Sequence, residues 1–187
     1  IALDLSHSAS GVTLTQNDTI DNTRIFGDVL FGAGNDQFNL LSGEVTGDVD
    51  FGTGSDTLNA NSAKLFGDAN FGGSSATVSL NSATMQGALS LGATTGSLSF
   101  TNQSTYVGDI TRTGAGAMTL AVNNSTVNNT ADGTLNLSSM TLANNAKLGL
   151  VIDNARITGN TPIFNITGTA DIAANTVLTP IFGQFSN

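Results

Sequence analysis

The stretch IFGDVLFGAGNDQFNLLSGE, residues 25–44, decides the fold because the chain repeats its pattern directly afterwards. The next unit reads VTGDVDFGTGSDTLNANSAK at 45–64, and LFGDANFGGSSATVSLNSAT follows at 65–84. A Gly-Asp pair and a Phe-Gly pair return at fixed places in each unit, and a weaker copy continues to residue 92. A fixed period of about 20 residues is typical of a solenoid, in which each repeat forms one coil and stacks on the next.

Apolar and small polar residues alternate within the units, as in Val49-Asp50-Phe51 and Leu89-Ser90-Leu91. This alternation predicts β-strands that bury one face. No window of about 11 or more residues keeps the 3.6-residue period of a helix, so we expect almost no helix. The sequence therefore predicts an all-β fold, a parallel β-helix with coils of about 20 residues.

Equivalent residues of successive coils in a parallel β-helix lie about 4.8 Å apart and form ladders. The predicted core ladder is aromatic and aliphatic, and it consists of Phe31, Phe51, Phe71 and Leu91. Corners between strands need a positive φ or a close backbone approach, both of which favour glycine. The predicted corner glycines are Gly27, Gly47, Gly67 and Gly87.

The regular period is lost in the last part of the chain, which holds more large apolar residues. We expect β-hairpins that form a C-terminal cap, because an uncovered last coil exposes both core and strand edges. The predicted organisation is β-helix coils over residues 1–145 and a capping region of the same solenoid over residues 146–187. The predicted cap core consists of Leu150, Ile152, Phe164, Ile166 and Ile172.

Charge and composition set aside several classes of partner. The formal net charge is -9, and only five residues are Lys or Arg, so we expect no nucleic-acid binding. The chain has no cysteine, which leaves no disulfide framework and no thiol chemistry. No long apolar run predicts a transmembrane helix, so we expect no membrane insertion. The first and last residues suggest a piece excised from a longer protein.

A calcium site is one alternative for the repeats. GAGNDQF at 32–38 and GTGSDTL at 52–58 are similar to the core of calcium-binding nonapeptide repeats, with Asp36 and Asp56 as the candidate ligands. These units are separated by a whole coil, whereas nonapeptides follow one another directly, and the third unit has Ala76 in place of Asp. We expect a recurring turn here, with no cofactor or metal.

Catalysis finds little support in the sequence. The single histidine, His7, lies beside Asp4 and Ser6, and neighbours on one strand rarely converge as a triad does. The acidic residues Asp48, Asp50 and Asp68 are candidates for a glycan-active site. Asp28, Asp48 and Asp68 each follow a repeated glycine and are predicted to form one ladder. We expect these carboxylates to face solvent, and the chain not to be an enzyme.

The coils resemble the passenger of a Gram-negative autotransporter, the class of type V secretion. LGLVI at 148–152 and IFNITGTADI at 163–172 are similar to the autochaperone region of that family. The resemblance implies a right-handed parallel β-helix, with the autochaperone region at its C-terminal end. It implies a non-enzymatic, membrane-proximal stem on the bacterial cell surface, or secreted, after crossing the outer membrane. The implied partner is the chain's own C-terminal membrane β-barrel in the full-length protein, and the implied role of the cap is to promote passenger folding and secretion.

Two further hypotheses remain open at this point. The chain is alternatively an adhesin or self-associating surface module that binds a host-surface ligand or another copy through a solenoid face. Parallel β-helices also include glycan-active enzymes, which use clustered acids on the outside of the tube.

Overall fold

The computed structural model describes residues 1–17, 23–92, 95–159 and 161–182, and these residues form a parallel β-solenoid with three walls. Each of the first six coils places one strand on each wall and turns between strands. All strand pairs of the described residues are parallel and join strands of successive coils. The parallel β-helix predicted from the regular repeat is therefore confirmed.

Six coils carry three strands each, and two pairs of strands follow them. The strands of the first three coils are β1 (Leu3–Asp4), β2 (Thr13–Gln16), β3 (Arg24–Phe26), β4 (Val29–Leu30), β5 (Gln37–Leu40), β6 (Glu44–Thr46), β7 (Val49–Asp50), β8 (Ser55–Asn61) and β9 (Lys64–Phe66). The strands of the next three are β10 (Ala69–Phe71), β11 (Ser75–Asn81), β12 (Thr84–Gln86), β13 (Leu89–Leu91), β14 (Thr95–Thr101), β15 (Thr105–Gly108), β16 (Ile110–Arg112), β17 (Met118–Asn123) and β18 (Thr126–Asn129). The remaining elements are β19 (Leu135–Ala143), β20 (Lys147–Ile152), the helix α1 (Asn154–Gly159), β21 (Phe164–Ile172) and β22 (Val177–Phe182).

The three walls differ in length. The first wall has six strands in the order β1-β4-β7-β10-β13-β16. The second has eight, β2-β5-β8-β11-β14-β17-β19-β21, and the third has eight, β3-β6-β9-β12-β15-β18-β20-β22. The first wall ends at β16. A strand of this wall would be expected after β18 and again after β20, but the chain forms a turn at the first place and the helix α1 at the second.

The predicted core ladder lies inside the tube. Phe31, Phe51, Phe71 and Leu91 are all buried. The ring centroids of Phe31 and Phe51 are 5.1 Å apart and those of Phe51 and Phe71 are 4.4 Å apart, with nearly parallel planes. Large aromatic side chains each bury on the order of 150–250 Å². The stacked rings therefore supply a large share of the apolar burial in the regular coils.

The C-terminal strands correct one expectation. Hairpins were predicted across the open end of the tube, but β20 pairs in parallel with β22 and β19 pairs in parallel with β21. Alternating apolar residues fit parallel and antiparallel strands equally well, which is why the pattern misled. The described part of residues 146–187 thus continues the solenoid; residues 160 and 183–187 lie outside the described chain.

The predicted cap core is only partly enclosed. Leu150, Phe164 and Ile166 are partly buried and pack against the core, and Ile152 is half-buried. Ile172 is 50% exposed, so it is not a core residue in this structure. It pairs with the buried Leu142 and continues that ladder, but no further strand lies on it among the described residues.

Candidate functional site

The corner between the third and first walls is built on glycine. Gly27, Gly47, Gly67 and Gly87 have φ between 109° and 153°. A Cβ added at Gly67 would lie 2.1 Å from the carbonyl oxygen of Gly47, and one at Gly87 would lie 2.0 Å from that of Gly67. The backbones of successive coils therefore meet at this corner, and a larger residue forces them apart.

Each corner glycine of the first three repeats is followed by an aspartate whose carboxylate binds the next coil. Asp28 Oδ1 accepts the backbone N–H of Asp48 at 3.0 Å, and Asp48 Oδ1 accepts that of Asp68 at 2.8 Å. Asp68 Oδ1 accepts the N–H of Ala88 at 2.7 Å, where the series of aspartates ends. The sequence predicted only a solvent-facing acidic ladder. The structure adds that these carboxylates also accept backbone N–H donors at the corner.

The two calcium candidates lie inside the tube. Asp36 and Asp56 are each only 1% exposed. Asp36 Oδ1 accepts the N–H of Val12 at 2.7 Å, and Asp56 Oδ1 accepts the N–H of Asp36 at 2.9 Å. The second oxygen of both carboxyl groups, Oδ2, is buried without a hydrogen-bond partner. Both residues therefore carry half-satisfied carboxyl groups in the interior.

These carboxyl groups do not assemble the ligand set of calcium. Ca²⁺ takes about six to eight oxygen ligands, whereas Asp36 and Asp56 offer one unbonded oxygen each. Within residues 1–17, 23–92, 95–159 and 161–182, no three or more His, Cys, Asp or Glu residues cluster as metal ligands would. The Gly-x-Gly-x-Asp stretches form turns, in which Gly34 and Gly54 have positive φ.

The protonation of Asp56 is shifted by its surroundings. Burial raises the pKa of the Asp56 carboxyl above its ordinary value, because the charged form loses hydration. The N–H of Asp36 opposes this by bonding the carboxylate, and the negative charge of Asp36 raises the pKa further. The burial of Asp56 and the negative charge of Asp36 thus both favour the neutral form of the Asp56 carboxyl.

A shallow groove of about 280 Å³ runs over the outside of the first wall. Its floor follows one outward-facing ladder that crosses β7, β10, β13 and β16, and the ladder consists of Asp50, Asn70, Ser90 and Thr111. Asp50 is the carboxylate among the groove's described lining, and it accepts the N–H of Gly52 at 2.9 Å. Glycoside hydrolysis ordinarily uses two carboxyl groups that flank the bond. Asp48 and Asp68 bond to backbone at the corner and do not line this groove.

Arg112 closes one end of the same groove. Its guanidinium donates to the carbonyl oxygen of Asn136 at 3.0 Å and to that of Gly116. Burial lowers the pKa of the Arg112 guanidinium. These bonds tie the loop before β17 to β19, which gives Arg112 a structural task in the groove.

The residues around His7 do not form a catalytic triad. The hydroxyl of Ser6 donates to Asp4 Oδ1 at 2.6 Å, and the same Oγ lies 3.4 Å from His7 Nδ1. In a triad the histidine stands between the acid and the serine, whereas here the serine stands between the other two. The Ser6 hydroxyl and then the Ser6 N–H lower the pKa of Asp4, which is a surface carboxylate.

The outer face of the second wall carries two ladders that consist mainly of polar residues. One ladder consists of Thr13, Gln37, Thr57, Thr77, Ser97, Thr119 and Ser139. The other consists of Thr15, Asn39, Asn59, Ser79, Ser99, Ala121 and Thr141. Neighbouring amides bond along the ladder, as when Asn59 Nδ2 donates to Asn39 Oδ1 at 3.0 Å. From β2 to β19 these ladders carry hydrogen-bonding groups and no charged side chain, and Asp171 of β21 adds a carboxylate beside Thr141.

Arg156 was not singled out from the sequence, yet it holds α1 in place. Its Nη2 donates to the carbonyl oxygens of Ala131, Asp132 and Gly133 at 2.7–3.1 Å. At the start of α1, the N–H of Arg156 donates to Asp153 Oδ1 at 2.9 Å, as a helix cap does. Contacts between an arginine and carbonyl groups on an earlier coil leave no local pattern in a sequence.

No protein-family model, no curated protein and no solved structure matches the chain. The fold and its surface define a three-walled parallel β-solenoid with an interior carboxyl pair, a shallow groove and one hydroxyl-rich face. Helices of bilayer-spanning length and apolarity do not occur in the described parts of the chain.

Proposed function

We propose that the chain is the β-helical stem of an autotransporter passenger, a non-enzymatic segment that stands next to the outer membrane on the cell surface. The observation that carries the proposal is the continuous parallel stacking of strands from β1 to β22. Such a stack is long, one-dimensional and built from nearest-neighbour contacts, which suits a spacer that holds another region away from a membrane.

The energetics of stacking favour folding in one direction. A coil buries its ladder residues only against a folded neighbour, so a new coil forms most readily on an existing end. In this proposal residues 146–187 emerge and fold first, and they then template the coils that precede them. Leu148, which is buried in β20, is a core contact between this region and the preceding coil because it pairs with Val127. The partner in the proposal is the chain's own membrane β-barrel.

The test is surface display with a matched pair of variants. The chain is fused ahead of an outer-membrane β-barrel translocator in a Gram-negative host, and intact cells are treated with protease. We expect the wild-type chain to appear outside as a protease-resistant fragment. Leu148→Asp buries an uncompensated charge and should remove the resistance, whereas Thr119→Asp, at an exposed position of β17 between Ser97 and Ser139, should keep it.

Two results would contradict the stem proposal. One is a wild-type chain that folds in the periplasm and never reaches the surface. The other is equal protease resistance of Leu148→Asp and Thr119→Asp, because folding would then not depend on the C-terminal coils.

A second candidate function is a self-associating or adhesive module, and the observation that favours it is the pair of polar ladders on the second wall. Its two ladders present hydroxyl and amide groups at the regular spacing of the coils, about 4.8 Å. Ser79→Lys places a charge at the middle of this face. If the face mediates association, sedimentation of the wild type depends on concentration and that of Ser79→Lys does not. A monomeric wild type at all concentrations would rule out self-association through this face.

A further inference from the structure

The carboxyl groups of Asp36 and Asp56 occupy adjacent coils at one position of an interior ladder. Gln37 pairs with Thr57 in β5 and β8, which places Asp36 beside Asp56 one residue earlier. The N–H of Thr57 donates to the carbonyl oxygen of Asp36 at 2.8 Å, so the two backbones are in register at this point. Coils in register are about 4.8 Å apart. Two carboxyl groups, each 1% exposed, therefore face the same interior space.

We propose that Asp36 and Asp56 form a proton-binding site between two coils, in which one proton shared by the two carboxyl groups stabilises the N-terminal coils. Each Oδ1 is occupied by a backbone N–H, and each Oδ2 is buried with no donor. A single proton on one Oδ2 converts that atom into a donor, and the other carboxylate is the acceptor that the interior offers. One bound proton thus removes one buried charge and supplies the missing hydrogen bond.

The described neighbours of the pair on its own ladder carry no charge. The same ladder position holds Val12 in the coil below, Ala76 in the coil above and Gly96 beyond it, none of which titrates. Next along the strands are the buried Phe38 and Leu58. Asp36 is the charged neighbour that raises the pKa of Asp56.

The other charged groups of the N-terminal coils lie elsewhere. Asp50 bonds the N–H of Gly52 on the outer face of the first wall. Asp4 and His7 are exposed in the first coil. The charged ladder on the outside of the third wall consists of Arg24, Glu44 and Lys64.

A proton fits this site better than a cation does. A hydrogen bond needs two oxygens, and the pair offers two, whereas hard cations need several more. Two carboxylates in one buried site resist simultaneous ionisation, which raises the pKa of one of them. The direction found for Asp56 agrees with this geometry, since both burial and the charge of Asp36 raise its pKa.

The sign of the pH dependence follows from linkage. An unfolded aspartate titrates near pH 3.9, and the folded Asp56 holds its proton to higher pH. Between these two values the folded chain binds more protons than the unfolded chain, so stability falls as the pH rises. The contribution is fully present below the unfolded pKa and is lost as the pH rises through the folded pKa.

The first experiment titrates the whole chain with ¹³C-labelled aspartate by nuclear magnetic resonance. We expect the Cγ resonances of Asp36 and Asp56 to move together in two steps, as a coupled pair does. The upper step should lie above about pH 3.9, where an unfolded aspartate titrates. In Asp56→Asn the upper step should vanish. If both resonances titrate in one step near the value of an unfolded aspartate, the proposal is wrong.

The second experiment compares the melting temperature at about pH 4 and about pH 8, on either side of the expected window. Asp56→Asn keeps the Oδ1 acceptor and adds an amide donor, so we expect it to melt above the wild type at the higher pH and to lose much of the pH dependence. Asp171→Asn removes the same charge from the surface and should melt as the wild type does. Asp56→Ala introduces the residue type that the next coil has at the paired position, Ala76. This variant should also reduce the pH dependence of the melting temperature.

A calcium titration separates the proton from a metal ion. The melting temperature of the wild type at about pH 8 is measured with Ca²⁺ and with a chelator. Equal values support the proton site. A rise in melting temperature with Ca²⁺ that is absent in Asp56→Asn would overturn the proposal in favour of a cation site. A pH dependence of the melting temperature that is unchanged in both Asp56 variants would overturn it in favour of two ionised carboxylates.

Discussion

Asp48 Oδ1 accepts the backbone N–H of Asp68 at 2.8 Å, so a side chain of one coil binds the backbone of the next. The repeated Gly-Asp pair therefore has two linked tasks at the corner. Glycine lets successive backbones approach, and aspartate accepts the N–H donor that follows. This explains on physical grounds why a chain with few charged residues repeats an acid once in each regular coil.

The acceptor, rather than the charge, should be the important property of Asp48. Asp48→Ala leaves the N–H of Asp68 without its partner and should lower the free energy of unfolding by about 0.5–1.5 kcal/mol. Asp48→Asn keeps an oxygen acceptor and should be close to the wild type. Urea unfolding of both variants checks this, and an equal loss in the two would show that the hydrogen bond does not matter.

Gly67 should be the least replaceable residue of the corner. Gly67→Ala adds a Cβ at 2.1 Å from the carbonyl oxygen of Gly47 on a backbone with φ of 153°. Backbone strain alone should cost about 1–3 kcal/mol. The matched control is Gly133→Ala, whose added Cβ meets nothing within 4 Å. Thermal unfolding should separate the two variants clearly; similar melting temperatures would contradict a close approach at the corner.

Phe51 should be the central residue of the core ladder, because it stacks on Phe31 and on Phe71. Phe51→Ala should lower the free energy of unfolding by about 3–5 kcal/mol through lost burial and the cavity left behind. Phe51→Leu should cost less, since Leu91 fills the same ladder position two coils further on. The surface control is Phe26→Ala, at a side chain that is 65% exposed. A comparable loss for Phe26→Ala would mean that the ladder is not the dominant apolar contact.

Tyr106 provides an optical probe of alkaline unfolding, because it is the only tyrosine of the chain. Its ring is buried, its hydroxyl donates to the carbonyl oxygen of Asp109 at 3.1 Å, and burial raises its pKa. An unfolded tyrosine ionises near pH 10, so stability should fall as the pH rises above that value. We expect the tyrosinate absorbance to appear together with the loss of β circular dichroism. Ionisation in a chain that is still folded would contradict the burial of this hydroxyl.

Tyr106→Phe is the matched variant for this experiment. It removes the titrating group and leaves the ring in its place, so the variant should unfold at higher pH than the wild type does. At neutral pH it should lose about 1 kcal/mol, since the carbonyl of Asp109 loses a donor.

The sequence predicts the regular coils well for a physical reason. Stacked coils put the same residue types at the same places, so the recurrence of Phe31 as Phe51 and Phe71 states the register directly. The corner at Gly47 is predictable because few residues other than glycine adopt its backbone conformation. Later coils lose the strict period, as when Leu98 pairs with Leu120 rather than with Met118.

Strand direction and contacts between distant residues are not encoded in the repeat pattern. Strand direction is not encoded by alternation, so the parallel pairing of β19 with β21 could not be told from a hairpin. The inward direction of Asp36 could have been found, because it is in phase with the buried Phe38 and Leu40. The clamp of Arg156 joins distant parts of the chain and requires the fold to be known.

The residue-for-residue pairing of β8, β11 and β14 along their whole length has an evolutionary consequence. Each of these coils meets its neighbours through equivalent surfaces, so the loss or duplication of one repeat unit joins surfaces that already match. Such an event changes the length of the molecule by one coil thickness, about 4.8 Å, and requires no compensating substitution elsewhere. A single-residue insertion within β11 is far more damaging, because it turns the core side chains of that strand outward. Genes for this architecture are therefore expected to gain or lose whole repeat units, and each such change alters the length of the solenoid.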